Sequence, residues 1–348
     1  MTRFGLVRTA FATASVALLV AGCGGSSSTN GSSNGGVLGG AGSTFVFPLM
    51  AKWIPDYSKK HGATITYGPI GSGGGIEQVT NRTVDFGASD APLSADQQKA
   101  CKGCLQIPWA LGGTSIPYNV KGAPKHLKLT GELLAGIFLG KVKSWSDPAI
   151  AKLNPGAKLP AEAITPIYRA DSSGTTYNLT DYLSRISPEW KSKVGTGTSV
   201  DFPVGTGGKG SSGVSAALSR AEGGITYVDT AYSLQNGFAY AMLRNRAGTF
   251  TLPTTSAVAA AAGAVSSIPA DNAISIVDPP ASAAAAYPLS TFTYAIVPEH
   301  SAKADQLRPF LTYAVTDGQQ FAAELQFAKL PAKIVAADKR TIGRIEKS

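Results

Sequence analysis

Five short Gly- and Ser-rich segments constrain the fold of this chain more than any other feature: Gly40-Ala41-Gly42-Ser43-Thr44-Phe45, Gly71-Ser72-Gly73-Gly74-Gly75, Gly87-Ala88-Ser89-Asp90, Arg169-Ala170-Asp171-Ser172-Ser173-Gly174-Thr175, and residues 205–213. Each falls where a β-type run gives out. Such runs read over 64–67, 84–86, 164–168, 225–228 and 291–297. Helical spacing alternates with them over 132–139, 175–186, 211–221, 302–313 and 332–345. This alternation predicts an α/β chain. In open α/β sheets the ligand crevice lies outside the carboxyl ends of the strands. Gly lets backbone N–H groups approach closely, Ser and Thr add hydroxyl donors, and a helix start adds positive potential. A small anion is the ligand these residue types suit.

The rest of the chain adds few constraints. No repeat of solenoid length is present. Pro55 falls inside an amphipathic stretch over 48–57 and predicts a helix break just before it. The alanine-rich 257–265 segment reads as a surface helix, and 283–286 as the approach to a returning strand.

The first 22 residues read as an export signal. Arg3 and Arg8 precede an uncharged stretch over 9–20 that closes on Val20-Ala21-Gly22-Cys23. That stretch is shorter than the roughly 20 apolar residues a membrane span needs. Its ending resembles the bacterial lipoprotein box, which implies that Cys23 becomes an acylated first residue. Residues 24–36 contain only Gly, Ser, Thr and Asn. They have too little apolar surface to fold and form a tether that spans very roughly 20 Å. Residues 37–348 are long enough for two lobes.

The formal net charge of +9 includes Arg3 and Arg8, leaving +7 without them. The remaining Lys and Arg are scattered, with no dense basic run before a modest tail at Lys339, Arg340, Arg344 and Lys347, which together with export argues against nucleic acid. Cys101 and Cys104 lie in an exported chain, where a local disulfide is favoured. A thioredoxin-type site or a zinc site would need further context, and His61, His126 and His300 are dispersed.

Within the fourth Gly/Ser segment, Arg169 can offer a forked donor pair to an oxyanion with Asp171 orienting it. Ser173-Gly174-Thr175 opens the best helix of the middle region; plain N-capping by Ser172 or Ser173 is the alternative. Two other motifs are weak. Gly31-Ser32-Ser33-Asn34-Gly35 matches a nucleophile elbow but sits in the tether. Gly205-Thr206-Gly207-Gly208-Lys209-Gly210 matches a dinucleotide fingerprint, but Pro203 and the polar 195–199 flank make a poor preceding strand. A loop supporting the cleft is the better reading.

Several of these segments, with Val84-Asp85-Phe86-Gly87-Ala88-Ser89-Asp90-Ala91-Pro92-Leu93-Ser94, Ile137-Phe138-Leu139-Gly140-Lys141 and Gly207-Gly208-Lys209-Gly210, resemble the phosphate-specific periplasmic binding proteins of ABC importers. The resemblance covers nearly all of 40–348. It implies a two-lobe Venus-flytrap fold with two hinge crossings, near 108–118 and 287–291. Residues 37–115 and 288–348 would form one lobe and 116–287 the other. It further implies that Thr44, Phe45, Ser72 and Asp90 reach the anion from the first lobe, and Arg169, Ser173, Gly174 and Thr175 from the second. The implied protein is a lipid-anchored monomer on the outer face of the cytoplasmic membrane that passes phosphate to a permease, with no cofactor and no catalysis. The rivals are a phosphatase-type hydrolase and a receptor for sulfate or molybdate. A carboxylate placed against an anion discriminates among these ligands. Phosphate still carries a hydrogen near neutral pH and can donate it to Asp90, whereas sulfate has nothing to donate.

Overall fold

The computed structural model describes Val37–Ser348. The export signal, Cys23, the 23–36 tether and the Gly31-Ser32-Ser33-Asn34-Gly35 motif lie outside the described residues.

Two open sheets organise the chain. The first has six strands in the order Val228–Asp229, Cys104–Ser115, Ser290–Pro298, Phe86–Ser89, Val37–Gly42, Thr64–Gly68. Its last three strands run parallel, with Leu38 opposite Ile65 and Ala41 opposite Gly87. Ser290–Pro298 runs antiparallel to both Phe86–Ser89 and Cys104–Ser115. The second sheet takes the order Ala239–Tyr240, Pro117–Asn119, Gly224–Ile225, Thr165–Arg169, Thr206–Gly208. A small third sheet joins Phe250–Thr251, Met242–Arg244 and Lys128–Leu129.

Each large sheet carries its own apolar core. Around the first, Trp53 meets Trp109 edge-on with ring centroids 5.4 Å apart, and Phe86 meets Trp109 at 5.9 Å. Around the second, Tyr118 packs on Trp145 at 5.5 Å, and Tyr168 stacks on Phe202 at 4.7 Å. The chain leaves the first sheet at Ile116 and returns before Ser290, where Thr114 N donates to Leu289 O at 2.8 Å. It makes one further excursion. The single strand expected over 225–228 is split, with Gly224–Ile225 in the second sheet and Val228–Asp229 on the edge of the first. Helix Thr230–Gln235 then follows, before Ala239–Tyr240 rejoins the second sheet.

Two further differences from the sequence reading have physical causes. Helix Phe47–His61 runs through Pro55 without breaking. Pro55 and Ala51, whose carbonyl loses its partner there, are both exposed to water, while Trp53 and Tyr57 on the opposite face are buried and hold the helix down. The alanine-rich helix Thr255–Gly263 is half-buried: Val258, Ala261 and Ala262 pack into the first core, interrupting the expected 116–287 lobe. Small side chains let that helix approach the sheet closely. Cys101 and Cys104 are joined as a disulfide, linking helix Ala95–Cys101 to strand Cys104–Ser115.

Asp338, on the inner face of helix Ala332–Gly343, is fully buried, and neither carboxyl oxygen has a hydrogen-bond partner among the described residues. Burial pushes its pKa up to about 9. The folded state therefore holds a proton that the unfolded chain releases, so this residue erodes stability as pH rises from about 4 towards 9. Asp338→Asn is expected to raise stability at pH 7 by about 4 kcal/mol and by almost nothing near pH 4. Denaturant unfolding at the two pH values checks this; an equal effect at both would contradict it.

Candidate functional site

The loops after five parallel strands converge between the two sheets. Strand Val37–Gly42 leads into Ser43 and Thr44, Thr64–Gly68 into Gly71 and Ser72, and Phe86–Ser89 into Asp90. From the second sheet, Thr165–Arg169 leads into Asp171 to Thr175, and Thr206–Gly208 into Lys209 to Ser211. Gly42 has φ +142°, and a Cβ there would lie 2.1 Å from Ala88 O. Only glycine lets the first loop fold back against Phe86–Ser89.

Asp90 is 2 % exposed. Its Oδ1 accepts a very short hydrogen bond from Ser43 Oγ, and its N donates to Ser72 Oγ at 3.2 Å. Its carbonyl accepts from Asn178 Nδ2 at 3.1 Å and from Thr291 Oγ1 at 3.3 Å. Burial pushes the carboxyl up to about 6, against the Ser43 hydrogen bond and the attraction of Arg169. The hydroxyls of Thr293 and Thr175 lie near enough to oppose that rise slightly. Among the described residues neither Oγ1 has a hydrogen-bond partner, and both are buried.

Arg169 closes the other side. Its Nε and Nη2 donate to Asp171 Oδ1 and Oδ2 at 2.7 and 2.5 Å, and its backbone N donates to Tyr227 Oη at 3.0 Å. Burial disfavours a charge on Asp171, but the guanidinium outweighs it and holds the carboxyl below its usual range, helped by Gly210 N at 2.9 Å. Asp171 thus fixes the fork of Arg169 so that its remaining edge is available to a ligand. Ser173 caps helix Gly174–Ile186, accepting from Thr176 N at 3.3 Å. The first N–H groups of that helix, on Gly174 and Thr175, have no intrahelical acceptor and point out of its end. Helix Ser72–Thr80 presents its own N-terminus from the facing loop.

The two halves are closed on one another. Gly73 N donates to Ser172 O at 3.0 Å, and Thr44 Oγ1 lies 2.8 Å from Ser211 Oγ. A Cβ on Gly174 would lie 2.6 Å from Asp90 N and 2.7 Å from both Asp90 Cβ and Ser72 Oγ. Gly174→Ala is therefore expected to hold the halves apart and weaken ligand binding by about 100-fold or more, as two backbone-adjacent contacts must give way. Its melting temperature without ligand should stay near that of the parent. Titration calorimetry beside a thermal melt tests this, and full affinity in the variant would refute it.

Of the residues singled out from sequence, Ser72, Asp90, Gly174 and Thr175 converge between the halves with Arg169 and Asp171 beside them, and this junction is the candidate ligand chamber. Phe45 is buried next to Thr44, where its N donates to Ser43 Oγ at 3.0 Å and its ring covers Gly112, packing against Phe327. Ser43, Asn178, Tyr227, Thr291 and Ser211 also build the site and were not singled out. Asn178 had a signal, since it lies one turn beyond Gly174 on the same helix face. Ser211 lay in the fifth Gly/Ser segment, read as support for the cleft. Beside the chamber lies a cavity of about 310 Å³ lined by Phe47, Ile70, Asp171, Lys209 and Tyr232.

A family model described as the PBP superfamily domain matches residues 27–318. The phosphate-binding protein PstS of Xylella fastidiosa (strain Temecula1) is 42% identical over 303 residues, covering 86% of this chain and 82% of that protein. The phosphate-binding protein PstS of Pasteurella multocida (strain Pm70) is 41% identical over 304 residues, covering 85% and 87%. The solved structure of a high affinity periplasmic phosphate-binding protein, PfluDING, bound with phosphate, superposes with a TM-score of 0.71 at 21% identity, covering 89% of this chain and 99% of that one. That last likeness concerns the fold.

Proposed function

This chain belongs to the PstS family of phosphate-binding proteins, within the PBP superfamily, and from that premise we propose that it captures inorganic phosphate outside the cytoplasmic membrane and hands it to an ABC permease. The observation that carries this reading is Asp90, a buried carboxylate sharing a chamber with a buried arginine and two opposed helix N-termini. Donors alone would suit any oxyanion. An acceptor among them suits one that still bears a hydrogen, and a site built to accept that hydrogen rejects an analogue lacking it.

In this reading Thr44, Phe45, Ser72 and Asp90 bind from one lobe, and Arg169, Ser173, Gly174 and Thr175 from the other. Residues 37–115 and 288–348 make the first lobe and 116–287 the second, apart from the stretch that packs into the first core. Lobe closure buries the anion, and the closed form is what a permease would engage. The protein binds and releases its ligand without covalent chemistry or a cofactor. Cys23 carries the lipid that tethers a monomeric body to the outer face of the membrane. Titration calorimetry with phosphate, arsenate and sulfate is the test. Phosphate and arsenate, both hydrogen-bearing, should bind, and sulfate should not. Equal binding of all three would sink the role of Asp90, and no binding at all would sink the function.

A further inference from the structure

Asp229 is a second buried carboxyl that the site as described does not use. It is 1 % exposed at the edge of the first sheet, at the start of helix Thr230–Gln235. Its Oδ1 accepts from Tyr232 N at 3.3 Å, capping that helix, while Oδ2 is buried with no hydrogen-bond partner among the described residues.

The register places this carboxyl on the face of the sheet that carries the chamber. Asp229 lies directly opposite Thr114, so the two side chains share a face, and Thr114 Oγ1 is likewise buried without a partner. Alternation along the strand puts Thr114 on the same face as Gly112, which lies opposite Thr291. Thr291 Oγ1 donates to the Asp90 carbonyl, and Thr293, two residues on, carries another unpartnered hydroxyl. The charged and titratable groups that act on Asp229 are Asp90 and Arg169, from other elements, and Tyr232 on its own helix. Burial, followed by repulsion from Asp90, drives the Asp229 carboxyl well above the usual range, although the Tyr232 N–H opposes the rise. Two buried carboxyls that repel one another do not both ionise readily.

We propose that Asp229 is a further binding residue of the phosphate chamber, one that contributes its hydrogen rather than its charge, with Oδ2–H as a donor on the chamber floor opposite Asp90. A carboxylic acid kept neutral by its surroundings is a competent hydrogen-bond donor at neutral pH. Asp90 then accepts the hydrogen of the bound anion while Asp229 donates to it, directly or through one water. Ionisation of Asp229 at higher pH removes that donor and adds a second negative charge, so binding weakens on the alkaline side. This inference rests on the phosphate reading above.

The test uses Asp229→Ser and Asp229→Asn in the whole protein, since both side chains can keep the helix cap. Phosphate affinity is measured by calorimetry from about pH 7 to about 9.5, below the range in which exposed lysines titrate. Ser caps but is too short to reach the chamber, and should weaken binding at neutral pH by about tenfold or more, the loss of one hydrogen bond to a charged ligand. Asn offers an amide donor that does not titrate, so it should weaken binding less and abolish the alkaline decline seen in the parent. In the parent, the ¹³C resonance of the Asp229 carboxyl should sit at its protonated position near pH 7 and move when phosphate is added. An ionised resonance, one indifferent to phosphate, or variants whose affinities and pH profiles superimpose on the parent would reduce Asp229 to a helix cap. A parent protein that binds no phosphate would instead overturn the functional reading, and this inference with it.

Discussion

Asp90→Asn is expected to abolish the preference for phosphate over sulfate while leaving the fold intact. The asparagine carbonyl can still accept from Ser43 Oγ, and the backbone contacts of residue 90 with Ser72, Asn178 and Thr291 do not involve the side chain. The chamber loses its acceptor and gains a donor. Sulfate, which the carboxylate repels, then meets only donors, whereas phosphate loses the partner for its hydrogen. Sites built around one such polar group discriminate by about 10⁴ or more, and that is the preference expected to disappear. The parent should approach the same behaviour in acid. Because burial raises the Asp90 carboxyl to about 6, protonation below that pH turns the acceptor into a donor. Sulfate should therefore compete better at pH 5 than at pH 8. Competition calorimetry at both pH values checks this, and discrimination unchanged in the variant would remove Asp90 from the account of selectivity.

The second large effect is expected at Arg169. It is 5 % exposed and its charge is matched by Asp171 within the wall of the chamber. Arg169→Ala removes a forked donor from the anion and leaves Asp171 buried without its counter-charge. Truncating one partner of a buried, hydrogen-bonded charge pair costs about 2–5 kcal/mol, which corresponds to a loss of affinity of about 30-fold to several thousand-fold. Arg169→Lys should recover part of it, since a point charge remains without the fork. Asp171→Asn should weaken binding less than Arg169→Ala, because it loosens the guanidinium without removing it. A dissociation constant unchanged by Arg169→Ala would exclude that side chain from the site.

What could be read from the sequence was the part encoded locally. Loops at strand ends announce themselves through glycine and hydroxyl residues, because close backbone approach allows few alternatives; Gly42 and Gly174 leave no space for a Cβ. Arg169 and Asp171 could be paired on paper since they are two residues apart on one loop. The long-range partners could not. Ser211 reaches Thr44 across 167 positions and Thr291 reaches the Asp90 carbonyl across 201, and nothing in either local sequence names its partner. Strand Cys104–Ser115 was hidden for another reason: all 12 of its residues are buried, so no alternation marks it as a strand. Pro55 misled because a helix-breaking residue is tolerated where the freed carbonyl faces water and the opposite face is anchored by Trp53 and Tyr57. Asp229 gave no sign at all, since capping a short helix is an ordinary use for an aspartate.

The most direct test of the central claim is a crystal structure of the protein grown with phosphate. An Asp90 carboxyl oxygen is expected within hydrogen-bond distance of one phosphate oxygen, with Arg169 and the Gly174 and Thr175 N–H groups on the others and the two halves closed as they are here. Asp90 turned away from the ligand, or phosphate bound elsewhere with nothing held between the halves, would contradict it.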